Sequence, residues 1–321
     1  MYRNKKNLLV VGLWVAVFYG ASMLLLTNYT LGDQVHYWRF YEALSTANAA
    51  DVMLLAGRHV SSNEPLSAYV LWMGARLGVE KNTFITGLNI ILLFGILLFI
   101  GRHKVPYYVY LLIFSNFYLI VLMTGAERLK ISYIFLIYAA LIPRKLGLTL
   151  ALASPLAHLQ SLILLGGLGA SALSRNVRSL FSSMRMKKPT LASVVLAAAT
   201  MVLSVLMLRE GIVSKASIYM SKGGGLSELI PLSLLAGVSF LATKDRLRMG
   251  LMLTAMMVAI YFLGGMRVNM IAFSLFIYFM TLEGRLHHPL VLALLTYLSL
   301  KSVFFVKNIF VYGHGFGGWL L

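Results

Sequence analysis

Apolar runs long enough to cross a bilayer alternate with short polar breaks along the whole chain. The first covers residues 8–27, and others lie at 84–100, 105–124, 190–208, 229–243, 249–264, 270–282 and 289–305. About 20 apolar residues in a helix span the hydrocarbon core, so the pattern predicts an all-α, polytopic integral membrane protein. Counting shorter segments, it predicts roughly 10–12 transmembrane or re-entrant helices in a single domain over 1–321. Strands alternating at period two are absent, which sets a transmembrane barrel aside. No internal repeat is visible.

Six stretches depart from plain crossing helices. Residues 28–64 form the longest polar-containing segment, directly after the first span. Within it, residues 33–44 fit an amphipathic helix with Tyr37, Phe40, Tyr41 and Leu44 on one face, lying in the interface. Glu64-Pro65 then opens a short apolar segment, 66–79, that contains Arg76. Residues 131–142 are too short to span alone, so their helix must take in Glu127, Arg128 and Lys130 and carry charge to membrane depth. The run 146–173 is broken at Ser154-Pro155, with His158 and Gln160 just beyond. A second polar loop, 209–228, holds Lys215, Tyr219 and a triple glycine, and 264–269 reads as a short external turn carrying Arg267 and Asn269.

Composition agrees: 60% of the 321 residues are hydrophobic, 12% are charged, and mean hydropathy is +0.83. Soluble domains lie nearer half apolar and a quarter charged. Lys and Arg outnumber Asp and Glu by 28 to 10, for a net charge of +18. The basic residues sit at the ends of apolar runs, where they fix orientation and meet anionic headgroups, so nucleic acid is not implied as a partner. Arg3, Lys5 and Lys6 place the start of the first span in the cytoplasm, as an uncleaved anchor, and the 28–64 loop outside.

Topology beyond that point has two solutions. If 66–79 dips back outside and the Pro155 region is a re-entrant pair, Glu127 and Arg128 face outward; if both cross, these residues face the cytoplasm. The Lys/Arg count is four against four between the two, and we adopt the first.

The candidate chemistry is acidic, aromatic and cationic. Asp33, Tyr37 and Tyr41 at four-residue spacing suit a sugar, as a carboxylate for hydroxyls and rings for stacking; an interfacial aromatic belt with a capping Asp gives the same spacing. Arg128 and Arg267 are membrane-depth or external cations whose planar fork matches a phosphate; a local Glu127–Arg128 pair would neutralise the former. His158 behind the proline break is either a base or a satisfied core residue. Zero cysteines exclude thiolate catalysis and disulfides. No nucleotide loop and no zinc motif is present, so no cofactor and no metal is implied.

In order along the chain these pieces resemble the EpsG family of polysaccharide polymerases, related to Wzy-type O-antigen polymerases. The resemblance rests on Asp33, Tyr37 and Tyr41 after the first span, then Glu64-Pro65. Arg128 starts a middle helix, His158 opens a later one, Tyr219 lies in an external loop, and Arg267 precedes an aromatic helix. The sequence departs from the family at Leu129, where Gln is usual, and at Asn269 and Met270. The resemblance implies a bacterial inner-membrane glycosyltransferase working on its periplasmic face. It would join undecaprenyl-diphosphate-linked oligosaccharides into O-antigen, capsule or exopolysaccharide, with membrane lipids and a chain-length regulator as partners.

On that resemblance Asp33 is the first expected base and His158 the second, while Arg128 and Arg267 meet the leaving diphosphate. Tyr37, Tyr41 and Tyr219 hold glycan, and Arg39, Glu64, Glu127, Lys130, Lys215 and Asn269 complete the expected substrate-binding set. Rival readings are a lipid-linked oligosaccharide flippase or other transporter, and a membrane transferase of another kind, such as an acyltransferase centred on His158.

Overall fold

The computed structural model describes residues 5–168, 229–263 and 265–316. Every regular element among them is helical, and four helices are long and apolar enough to cross a membrane. They are α1 (Lys5–Asn28), α5 (Lys81–Arg102), α12 (Gly265–Leu282) and α13 (Pro289–Tyr312). A fifth is formed if α6 (Tyr107–Phe114) and α7 (Phe117–Gly125), bent by 48°, count as one span. The stretch 105–124, expected as a plain span, is two helices meeting at this bend. Asn116 caps α7 there, its side chain accepting from the Tyr118 amide at 3.0 Å, so a buried polar residue restarts the helix in a new direction.

The remaining described helices are α2 (Asp33–Thr46), α3 (Val52–Val60), α4 (Pro65–Arg76), α8 (Glu127–Leu141), α9 (Arg144–Ala157), α10 (Leu229–Ala242) and α11 (Arg246–Leu263); residues 161–168 are helical as well. Segment 28–64 is therefore a stack of short helices rather than a loop. The chain divides into two compact units, one of Met1–Leu159 with Thr296–Leu321 and one of Gln160–Leu295. The expected span 190–208 and the loop 209–228, with Lys215 and Tyr219, lie outside the described residues.

In the first unit, α2, α3 and α4 close over a core of Tyr37, Phe40, Tyr41, Leu44, Val52, Ala56, Ala68 and Leu71. The helical face anticipated for residues 33–44 is the buried one, with its polar edge at Gln34 instead of Asp33. Gly32 holds the N-cap position with φ 62°, so Asp33 is the first residue of α2 rather than its cap. Pro143 turns α8 into the antiparallel α9, and Gly147 allows the two backbones to touch: an added Cβ would stand 2.5 Å from the Ala139 carbonyl oxygen. Pro155 removes the amide that would bond to the Ala151 carbonyl, and the Ser154 hydroxyl takes that carbonyl at 2.7 Å. The helix ends two residues later.

In the second unit α10, α11 and α12 pack together. Glu283 holds their ends, accepting from the Thr243 hydroxyl, the Lys244 amide at 2.8 Å and Arg248. Here 265–282 is one helix, so Arg267 and Asn269 stand in its first turns and not in the external turn expected over 264–269.

Candidate functional site

Three helix ends and one helix face converge in the first unit. Val60 ends α3, and Ser61 turns the chain through the left-handed region at φ 46°. The next residues run without regular structure to Glu64, the N-cap of α4. Ser62 shapes this approach: its hydroxyl donates to Glu64 Oε2 at 2.9 Å and accepts the Glu64 amide at 3.2 Å. The carboxylate is then presented to α8 and to the end of α9.

Arg128 in the first turn of α8 donates through Nη1 to Glu64 Oε2 at 2.5 Å and through Nε to the Tyr37 hydroxyl at 3.0 Å. His158, the residue that ends α9, places Nδ1 2.7 Å from Glu64 Oε1, which also accepts the Leu159 amide at 3.0 Å. The carboxylate thus accepts four hydrogen bonds, two on each oxygen, which fills its acceptor capacity. A carboxylate oxygen cannot donate, so Nδ1 of His158 carries the proton in this contact and Nε2 is the ring's other face.

The group is nearly closed to solvent, with side-chain exposures of 7% for Glu64, 11% for Arg128 and 5% for His158. Burial pushes the Glu64 carboxyl up, but His158, Arg128 and the Leu159 amide outweigh it and hold it below the usual carboxylate range. Burial raises the Tyr37 hydroxyl, with Arg128 opposing. Tyr37 therefore serves as a neutral hydrogen-bonding group.

One residue earlier on α8, Glu127 belongs to a different network. Only Ala126 separates α7 from α8, at φ −128° and ψ 60°, and the end of α7 leaves carbonyls without helical partners. Asn89 (3.1 Å) and Lys130 (2.8 Å) donate to the Met123 carbonyl, and Gln34 (2.5 Å) to that of Thr124. Lys130 also pairs with Glu127 at 2.7 Å, and Gln34 donates to Glu127 at 2.8 Å while accepting from Lys81. Lys81 lies 4.7 Å from the centre of the Trp38 ring. Glu127 and Lys130 have no solvent exposure. In place of the alternative Glu127–Arg128 pair there are two separate pairs, because consecutive residues on a helix point about 100° apart.

The structure therefore brings Tyr37, Glu64, Arg128 and His158 together and places Glu127 and Lys130 in a closed neighbour. Asp33 is exposed on the first turn of α2, and its charge reaches Tyr29, Tyr37 and His314. Arg39 is exposed on α2, and Tyr41 is buried with its hydroxyl on the Val79 carbonyl at 3.0 Å. Arg267, partly buried, and Asn269, buried, belong to the second unit. Ser62, Gln34, Lys81 and His314 escaped the sequence reading. Ser62 had a readable signal, a small hydroxyl two residues before a Glu-Pro. The others touch partners far away in sequence. Among the described residues no three His, Asp or Glu side chains gather as a metal site.

Known proteins give no match. No family model, no curated protein and no solved structure is similar to this chain. The functional reading therefore rests on residues and geometry. A buried carboxylate flanked by a guanidinium and an imidazole is suited to binding an anion: with His158 protonated, Glu64 sits between two cations and the trio carries net charge +1. Tyr37 and Glu64 occupy Nε and Nη1 of Arg128, so Nη2 is the edge of the fork that neither engages.

Proposed function

We propose that the chain is a polytopic glycosyltransferase of the bacterial inner membrane that joins undecaprenyl-diphosphate-linked oligosaccharides on the periplasmic face. One observation carries the reading: Tyr37, Glu64, Arg128 and His158, drawn from four separate segments, meet in a single hydrogen-bonded group. Three ionisable side chains are held there in a nearly closed setting, and charged groups so placed in membrane proteins pair with one another or mark a substrate path.

In the proposed reaction an acceptor hydroxyl oxygen bonds to the anomeric carbon of the donor sugar. The bond from that carbon to the diphosphate oxygen breaks, its electron pair leaves with the lipid diphosphate, and the hydroxyl proton goes to a base. Arg128 and His158 supply preorganised positive charge where the leaving diphosphate becomes more negative. Glu64 holds both in place, and Tyr37 fixes the guanidinium plane. Asp33, exposed one helical turn before Tyr37, is the proton acceptor. The phosphate is already activated in such a donor, so the step draws on no nucleotide.

The test is the glycan ladder of cells producing the polymer with this gene replaced by variants. Asp33→Asn and Arg128→Ala should leave the protein in the membrane and reduce the ladder to single repeat units on the lipid carrier. Normal chain length in Arg128→Ala would remove this group as the active site, and in Asp33→Asn would remove Asp33 as the base.

A second reading, a lipid-linked oligosaccharide flippase, is favoured by the helix break at Ala126 with its buried Glu127–Lys130 pair, a device found in transporters. A deletion separates the two: loss of flipping leaves no repeat units on the outer surface.

A further inference from the structure

Two turns in the second unit gather basic residues at one end of its helices. α10 ends at Ala242 and α11 starts at Arg246, while α12 ends at Leu282 and α13 starts at Pro289. Glu283 ties the two turns together through the Thr243 hydroxyl, the Lys244 amide and Arg248. Lys244, Arg246, Arg248, Arg285 and His288 therefore belong to the same end.

The backbone after α12 sets the place of Arg285. Gly284, at φ 64°, donates its amide to the Thr281 carbonyl at 3.1 Å, and the Arg285 amide reaches back to that of Met280 at 2.8 Å. This is the left-handed glycine stop of a helix, and it turns the chain back over the helix end. The His288 amide then bonds the Arg285 carbonyl at 2.9 Å. Arg285 and His288 are left partly buried, with Leu286 fully buried between them.

Charge at this end is unbalanced. Lys244, Arg246, Arg248 and Arg285 are four cations against two carboxylates, Asp245 and Glu283, which leaves +2 with the histidines neutral. Both carboxylates are engaged: Asp245 accepts the Arg248 amide at 3.2 Å in the first turn of α11, and Glu283 pairs with the Arg248 side chain. Among the described residues no carboxylate pairs with Arg285. Its Nε and the Nδ1 of His288 are closed to solvent and have no hydrogen-bond partner. A guanidinium nitrogen can only donate, so the protein leaves this donor unused.

Apolar side chains border the charge. Phe240, Leu241, Leu247, Leu282 and Leu290 are all exposed, and the Arg246 guanidinium lies 5.2 Å from the centre of the Phe240 ring. Cations beside exposed apolar side chains, at the ends of apolar helices, match the layering of a bilayer surface, where phosphates sit above acyl chains.

We propose that this end of the second unit binds the phosphate of an anionic phospholipid headgroup, with Arg285 as its main ligand and acyl chains against Leu241, Leu282 and Leu290. The planar fork of a guanidinium meets two phosphate oxygens at once. The excess of +2 selects a headgroup of net negative charge over a zwitterionic one, whose own cation would be repelled. A free phosphate has no chain to lay on the leucines. The site lies in the other unit from Arg128 and does not depend on the glycosyltransferase reading.

The experiment uses the full-length chain, purified in detergent and stripped of lipid. Phosphatidylglycerol, phosphatidylcholine and inorganic phosphate are titrated separately, with binding read by native mass spectrometry and stability by thermal unfolding. Phosphatidylglycerol should bind to saturation and raise Tm, and the other two should do neither at the same concentrations. Arg285→Gln should weaken phosphatidylglycerol roughly five- to tenfold. Lys307→Gln, which removes an exposed cation of α13 in the first unit, should leave it unchanged. Without lipid, Arg285→Gln should unfold at the wild-type temperature, because Arg285 pairs with no carboxylate in the described protein.

Equal weakening by Arg285→Gln and Lys307→Gln would reduce the effect to diffuse surface charge and overturn the proposal. A lipid-free Arg285→Gln that unfolds early, or fails to fold, would overturn it by making the residue structural. Two outcomes need no variant. Phosphatidylcholine binding as tightly as phosphatidylglycerol would remove the charge selection, and inorganic phosphate displacing the lipid would reassign the site to a free anion.

Discussion

Glu127 and Arg128 are adjacent in sequence, yet they anchor two groups of opposite character. Glu127, Lys130, Gln34 and Lys81 form a closed network that satisfies the broken end of α7. Arg128, Glu64, His158 and Tyr37 form an almost closed one in which the guanidinium is held by side chains from two other segments. The first network is accounted for by the polar backbone it caps. In the second, Glu64 takes the Leu159 amide, but Arg128 bonds two side chains, Tyr37 and Glu64, so its charge caps no backbone. A buried charge that repairs a helix break belongs to architecture; one that repairs nothing is a candidate for function.

The largest effect expected is from Glu64→Gln. A neutral amide leaves Arg128 and His158 facing each other without a counter-charge, and breaking a buried ion pair costs roughly 3–5 kcal/mol. Thermal unfolding in detergent should show the loss, and polymer should vanish. Glu127→Gln should cost a similar stability, but its polymer yield should fall only in proportion to the protein remaining in the membrane. Polymer loss well beyond protein loss in Glu127→Gln would put the closed network inside the active site and erase the distinction.

Removing whole pairs sharpens the contrast. Replacing both members of a buried ion pair by apolar residues is often neutral for stability. In Glu127→Leu/Lys130→Met the Met123 carbonyl keeps Asn89 and Gln34 keeps the Thr124 carbonyl, but the buried Lys81 loses the Glu127 charge, so the fold should recover in part and polymer yield should follow the protein remaining in the membrane. In Glu64→Leu/Arg128→Met the fold should recover and polymerisation should not.

Acid provides a third separation. The Glu64 carboxyl is held below its usual value, so its contribution is fully present above about 4.3, the unfolded value, and is lost as pH falls through the folded one. The gap in Tm between wild type and Glu64→Gln should therefore not shrink between about pH 7 and 5.5, and should close only below about pH 4. A gap that closes near neutrality would mean that His158, not Glu64, controls the tie.

The elements of this fold were largely legible, because apolar run lengths and the prolines at 65, 143 and 155 mark helices locally. The same local signals placed the helix over Glu127, Arg128 and Lys130 and the amphipathic stretch from Asp33. Partners were not legible. Arg128 reaches back 64 residues to Glu64 and 91 to Tyr37, His158 reaches back 94 to Glu64, and Gln34 bonds Glu127 across 93. Nothing in a helical period encodes which faces will meet at such distances. The bend at Asn116 was missed for a related reason: one asparagine in a run of aliphatics hardly moves its hydropathy, yet it suffices to cap a new helix.

The smallest effect expected is at Tyr37, where only one hydrogen bond separates the wild type from Tyr37→Phe. The ring stays in the α2–α3–α4 core, so packing is preserved, and what is removed is the acceptor for Arg128 Nε. A hydrogen bond to a charged group is worth about 1.5–3 kcal/mol when a buried donor is left without it. The guanidinium keeps its bond to Glu64 but gains freedom to rotate about it, so leaving-group stabilisation should weaken without disappearing. We expect shorter glycan chains, a modest fall in Tm and unchanged binding of undecaprenyl diphosphate. If Tyr37 instead holds glycan directly, Tyr37→Phe would weaken binding of the sugar-bearing substrate while the lipid diphosphate bound as before, and the two roles separate on that measurement.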